Sequence, residues 1–335
     1  MIKFLLFSDF HYCKTKYAIT TKDLEKVLQR GADEKVDFVM QCGDFCVDPI
    51  HSPEIYKVLL ENKHNLPVYG IVGNHELEVK GNYLNFVAQR LTNREVNRPF
   101  PNASYWYTDI NGIRLIGLDT NYSLDPVTNE WEHTESGRTM GKPGNINLAY
   151  AHPDEMVWLD ETLADAQEKG LKAILFSHHP LSGCFNFNCG NGFEVRELLK
   201  KYKHTGVMCI NGDLHAEYYA GINDVIYYAI TATQYLNGNQ KKEPAYPEDY
   251  TYEYLDYDEN GNLRGSYQKK FIDLPTKNLY YSEEPLCAIV TIDDEGVVTV
   301  DGMQSRWLFG IEPKNKDLQH PYDPYITNKF FKLDF

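Results

Sequence analysis

Along the first two thirds of the chain, short apolar runs stop abruptly in polar residues, and between them apolar residues recur at helical spacing. Phe4-Leu5-Leu6-Phe7 predicts a buried strand that ends in Ser8-Asp9-Phe10-His11. Residues 21–34 carry Leu24, Val27 and Leu28 on one face behind Thr20 or Thr21 as N-cap, which predicts a helix. A second strand over 36–41 ends in Cys42-Gly43-Asp44, a helix covers 54–62, and a third strand over 66–72 ends in Gly73-Asn74-His75-Glu76. Alternation of this kind implies parallel pairing through right-handed crossovers. The strand ends then lie along one edge of the sheet, where open α/β sheets bind ligands.

The middle of the chain changes character. Residues 105–107 and 113–118 predict a hairpin around Asn111-Gly112, ending at Asp119-Thr120-Asn121. Residues 122–151 are polar and glycine-containing, with Trp131, His133, Arg138 and Lys142, and read as a long loop. A helix over 153–169 leads to a strand over 173–176 that runs into Ser177-His178-His179-Pro180. A further helix spans 193–202, and the strand over 207–210 ends in Asn211-Gly212-Asp213-Leu214-His215. Residues 225–231 continue the sheet region, and 286–292 with 297–300 form a hairpin. Residues 237–284, rich in Tyr, acids and Lys, read as an insertion or lobe packed on one domain covering 1–335, and the polar tail over 310–335 as an arm across its surface.

Composition narrows the function. A chain of 335 residues with 42% hydrophobic content can bury a large core. The seven cysteines lack a disulfide or zinc-ribbon framework and read as packed or loop thiols of a reducing compartment. No run is long enough to span a bilayer and residues 1–7 are too short for a signal-peptide core, so a cytoplasmic protein without membrane attachment is expected. A formal charge of -15 repels phosphate backbones and excludes long nucleic acid as a partner, while a small anion remains compatible with local cations.

Five predicted strands end in metal-ligating residue types, and the motifs are Asp9-x-His11, Gly43-Asp44, Gly73-Asn74-His75-Glu76, His178-His179-Pro180 and Gly212-Asp213-x-His215. Their order and flanking glycines resemble the calcineurin-like metallophosphoesterases over roughly residues 1–300. The resemblance implies an α/β fold, a four-layer αββα sandwich of two facing mixed sheets with helices outside. It also implies a dinuclear centre of two divalent ions, with Asp9, His11 and His215 on the first, Asn74 and His178 on the second, and Asp44 bridging. His75 would be the outer histidine that stabilises the transition state and protonates the leaving oxygen, with Asp48 as its orienting acid. Glu76 and His179 are expected in structural roles, Arg138 or Lys142 on substrate phosphate, and Trp131 or a tyrosine stacked on a base.

One position departs from the family pattern: Asp213 stands where histidine is usual. A carboxylate there either ligates the second ion, favouring Mn²⁺ or Mg²⁺ over zinc or iron, or acts through water. The expected activity is hydrolysis of a small phosphodiester or nucleotide by in-line attack of a metal-bridging hydroxide. Two rivals stand beside it. A catalytically silent scaffold would retain the fold, and a mononuclear zinc hydrolase would need only three protein ligands, leaving Asn74 and Asp213 without a role.

Overall fold

The computed structural model describes residues 1–335 except 48–49, 78–90, 126, 134–148, 184–188, 237–245, 259–261, 277–278, 314–322 and 334–335. Asp48, Arg138, Lys142 and Cys184 therefore lie outside the described residues.

Strand β1 (Ile2–Phe7) leads to helix α1 (Thr21–Asp33), β2 (Phe38–Gln41), α2 (Ser52–Leu60) and β3 (Val68–Gly70). Helix α1 begins where Thr20 and Asp23 cap each other reciprocally, which satisfies amide groups the first turn would otherwise leave unpaired. Strands β4 (Trp106–Ile110) and β5 (Ile113–Gly117) form the expected hairpin. Asn111 and Gly112 both take positive φ, 49° and 81°, as a two-residue turn between twisted strands requires. The stretch read as a loop contains a second, small hairpin, β6 (Tyr122–Leu124) with β7 (Trp131–His133). Three-residue strands are too short to leave a periodic signal.

Helix α3 (Pro153–Glu168), β8 (Lys172–Ser177), α4 (Gly192–Lys201) and β9 (Gly206–Asn211) follow, then β10 (Tyr218–Ile222), β11 (Val225–Ala229) and β12 (Tyr235–Leu236). The lobe contributes the hairpin β13 (Thr251–Tyr257) with β14 (Leu263–Lys270), and β15 (Tyr280–Tyr281) pairs with β12. The chain closes with β16 (Ala288–Ile292), β17 (Val297–Gly302) and β18 (Lys329–Lys332). In the tail, β18 pairs with β17 and buries Phe331, so part of the expected arm is a sheet strand.

Two mixed six-stranded sheets result, ordered β18-β17-β16-β1-β2-β3 and β10-β11-β9-β8-β5-β4. Alternate residues explain the layering. Phe4, Leu6, Phe38 and Met40 of one sheet meet Leu115, Ile174, Phe176 and Ile210 of the other in a shared apolar core. Leu5, Phe7 and Val39 point the opposite way, onto Leu24, Leu28, Ile55 and Leu59 of α1 and α2. On the far side, Ile116, Leu175 and Cys209 pack on Leu159 and Leu163 of α3 and Val195 and Leu199 of α4. The fold is thus the four-layer αββα sandwich, and strands buried on both faces read as continuous apolar runs. As expected, the ends of β1, β2 and β3 lie along one sheet edge; those of β8 and β9 belong to the other sheet, and the two carboxyl edges meet.

The lobe packs through aromatics. Tyr246, Tyr252, Tyr254 and Phe271 join the same outer core as α1 and α2, and the Tyr254 hydroxyl donates to the Tyr17 carbonyl. The six described cysteines are buried, and none of them forms a disulfide among the described residues.

Candidate metal centre

The side chains of the centre sit just past strands: Asn74 and His75 open a 3-10 turn after β3, and most of the others stand on backbone that helix and sheet do not use. Asp9 and His11 after β1, Asp44 after β2, and Asp213 and His215 after β9 all have φ between 52° and 65°. For residues with a Cβ this conformation is disfavoured, so the surroundings must hold it. Asp9 N donates to Gly43 O and His11 N to Asp44 O, which clamps the β1 turn onto the β2 turn. Gly43 has φ 92°, and a Cβ there would overlap the His178 imidazole. A Cβ on Gly212 would likewise overlap Ser8 Oγ, so only glycine lets β9 approach β1 this closely.

Glu76 holds the Asp44 turn. Its carboxylate accepts backbone N–H groups from Gly73 (2.7 Å), Asp44 (2.9 Å), Phe45 (2.7 Å) and Cys46 (3.0 Å). This gives the structural expectation for Glu76 a specific content. His179 takes a supporting place as well: its Nδ1 meets Thr120 Oγ1 at 2.8 Å while the ring is buried.

The ligating atoms converge. His11 Nε2 lies 3.0 Å from His215 Nε2, and both approach Asp9 Oδ1, at 3.8 and 3.3 Å. Asp44 Oδ2 is central, 3.7 Å from His11 Nε2, 3.7 Å from His75 Nε2 and 3.4 Å from His178 Nε2. His178 Nε2 in turn is 3.0 Å from Asn74 Oδ1. Three groups therefore have donor atoms mutually within 4.8 Å: Asp9, His11 and His215; His11, Asp44 and His75; and Asp9, Asp44 and His178. Asp213 belongs to none of these three. Its carboxylate comes to 3.7 Å from His178 Nε2, and its backbone N–H donates to Asp9.

The donor set fits divalent cations. Two ring nitrogens each about 2.1 Å from one ion and about a right angle apart stand about 3.0 Å from each other, the separation of His11 and His215. The Nδ1 of His178 meets the Cys42 carbonyl at 2.9 Å, which turns Nε2 toward Asp44 and Asn74. Electrostatics agree. Burial raises Asp9 and Asp44, but the surrounding imidazoles outweigh it and hold both carboxyls below the usual range. Burial lowers His11 to about 4, so its imidazole is neutral and able to ligate. His178 is pulled down by burial yet driven well up by Asp44, Asp9 and Asp213, a measure of the negative field at its ring. Two buried carboxylates side by side call for positive charge between them.

A model of the calcineurin-like phosphoesterase family matches residues 2–217, the segment that carries all of these motifs. The chain belongs to this family. The family implies a dinuclear divalent metal centre. A dimetal phosphatase from Danio rerio shares the fold at TM-score 0.55, with 14% identity over 91% of this chain and 98% of that one. A purple acid phosphatase from yellow lupin seeds aligns at TM-score 0.47 and 14% identity, over 91% of this chain and 51% of that one. GAP50, the anchor in the inner membrane complex of Plasmodium, aligns at TM-score 0.48 and 13% identity, over 89% and 84%. No curated protein sequence matches this calcineurin-like phosphoesterase.

Sequence reasoning passed over a neighbouring network. Asp119, past β5, is fully buried and accepts from the Ser104 hydroxyl, from His133 Nε2 (2.6 Å) and from Asn121 Nδ2 (2.8 Å). Its signal in the sequence was a further polar strand end, Asp119-Thr120-Asn121. The aromatic face of Tyr17, 5.6 Å from the His11 ring, left no signal at all.

Proposed function

We propose that this protein hydrolyses a small phosphodiester or nucleotide with two divalent cations, manganese first among them. The observation that carries the reading is the overlap of the three donor groups on Asp9, His11 and Asp44, which one cation would not use in full. In this reading Asp9, His11 and His215 hold one ion, Asn74 and His178 the other with Asp213 beside it, and Asp44 lies between. When bound, such a pair acidifies a water held between the ions and neutralises charge on the phosphoryl oxygens.

The chain's own groups do the rest. Glu76 and the left-handed turns fix the ligand side chains before substrate arrives, so little reorganisation remains for the reaction. The backbone N–H of His75 donates to Asp44 Oδ1 (2.8 Å), and its ring meets the His11 ring edge-on (4.7 Å between centroids) with Nε2 3.7 Å from Asp44 Oδ2. In this reading His75 passes a proton to the leaving oxygen.

The test is a metal count after stripping and re-equilibration with excess Mn²⁺, followed by assay on phosphodiesters and nucleotides. Two ions per chain with hydrolysis are expected, and Asp44→Asn should lose at least one ion and about 10²-fold or more in kcat. Two ions without hydrolysis of any ester would favour the scaffold reading, and one ion would favour the mononuclear one.

A further inference from the structure

The β6–β7 hairpin carries a row of aromatic rings beside the centre. Tyr122 stacks on His133 (4.4 Å, 29°), and its other neighbour is His152 (5.0 Å). Trp131 stands edge-on to His152 and to Tyr150, 5.6 Å from each. All five are only half-buried, and Tyr122, Trp131 and Tyr150 belong to none of the apolar clusters among the described residues. Partly exposed aromatic rings grouped in this way offer a surface to another molecule.

The row is built rigidly and anchored to the centre. Tyr122 and Tyr150 exchange backbone hydrogen bonds (3.0 and 2.9 Å), and Asn191 bonds both the N–H and the carbonyl of Ala151. His133 is fixed by the buried Asp119 at 2.6 Å. Between Asp119 and Tyr122 lie two short links to the metal-binding turns. Thr120 bonds His179, next to His178, and the Asn121 amide donates to Val72 O (3.0 Å), two residues before Asn74. The hairpin thus rises from the side of the site that holds Asn74 and His178.

Resting on the proposed phosphoesterase activity, we infer that the row of Tyr122, Trp131, His133 and His152 binds a planar aromatic ring of the substrate, such as a nucleobase, while its phosphate lies at the metal centre. Flat rings at 4.4–5.6 Å spacing offer faces and edges for stacking, which every base can use. The chain's acidity does not oppose a nucleotide here, since the metal ions meet its phosphate.

Adenosine 5′-monophosphate and ribose 5-phosphate differ only by the base, so their dissociation constants on the Mn²⁺-loaded protein isolate the row. The nucleotide should bind about tenfold or more tightly than the sugar phosphate, and the ratio should fall to about one in Trp131→Ala. His152→Asn, which keeps an N-cap acceptor for α3, should reduce the ratio at least threefold without loss of fold. A wild-type ratio near one, or a ratio unchanged in both variants, overturns the inference even where esters are hydrolysed. A ratio that collapses in Trp131→Ala while no ester is hydrolysed leaves the aromatic site standing and removes the reaction.

Discussion

Asp119 shows how one buried residue outside the centre has a measurable electrostatic signature. Burial raises its carboxyl, but the His133 charge and the hydrogen bonds from His133, Ser104 and Asn121 outweigh that and lower it from 3.8 to about 2. A carboxyl depressed in the folded state stabilises the fold above its unfolded pKa and loses that contribution as pH falls through the folded one. The contribution is about 2 kcal/mol. Urea unfolding of the wild type and of Asp119→Asn should therefore diverge most above pH 4 and converge toward pH 2; a difference independent of pH over that window would mean that the pair carries no linkage. At the same scale the residue types of the centre were legible, because ligands are specific chemistry: Asp9, His11, Asp44, Asn74, His75, His178 and His215 all meet. Asp213 was legible as a departure, and the structure sets its carboxylate at the rim of the donor groups, 3.7 Å from His178.

Turns, more than strands, determine whether the centre forms. The strands deliver their ends to one place, but five left-handed residues aim the side chains, and Gly43 lets the β2 turn close against His178 and Gly73. Gly43→Ala combines an unfavourable φ of 92° with overlap on the imidazole, and should cost at least tenfold in metal affinity while the sheets persist. Titration of Mn²⁺ alongside far-ultraviolet circular dichroism separates the two effects; unaltered affinity would show that the turn can yield. Long elements such as α1, α3, β1 and β8 were readable because burial on one or two faces leaves a periodic or continuous apolar pattern. The hairpin β6–β7 and the edge strand β18 were not, since two to four residues hold too little pattern and owe their pairing to neighbours distant in sequence.

At the scale of the molecule, the acidic balance and the centre are linked. A chain of net charge -15 that also buries Asp9 and Asp44 together gains from any cation that binds only the folded state. At 100 times its dissociation constant such an ion adds about 2.7 kcal/mol, which for a domain of this size is several degrees in Tm. Chelation should thus lower Tm by several degrees and Mn²⁺ should restore it, as followed by differential scanning calorimetry; a Tm indifferent to chelator would mean that the ligand cluster does not bind metal when folded. Among the described residues no helix is long and apolar enough to cross a membrane.

The sequence by itself determined the order of elements, the strand-helix alternation that buries strands on both faces, and the carboxylate and imidazole chemistry at their ends. These are local properties: periodicity and residue chemistry are written one after another along the chain. Only the tertiary structure decided which strand ends each sheet supplies, that Glu76 pins the Asp44 turn through its backbone N–H groups, and that Tyr122, Trp131, His133 and His152 come together. Each of these depends on contacts between residues tens to hundreds of positions apart, which burial and backbone pairing select and no short stretch encodes.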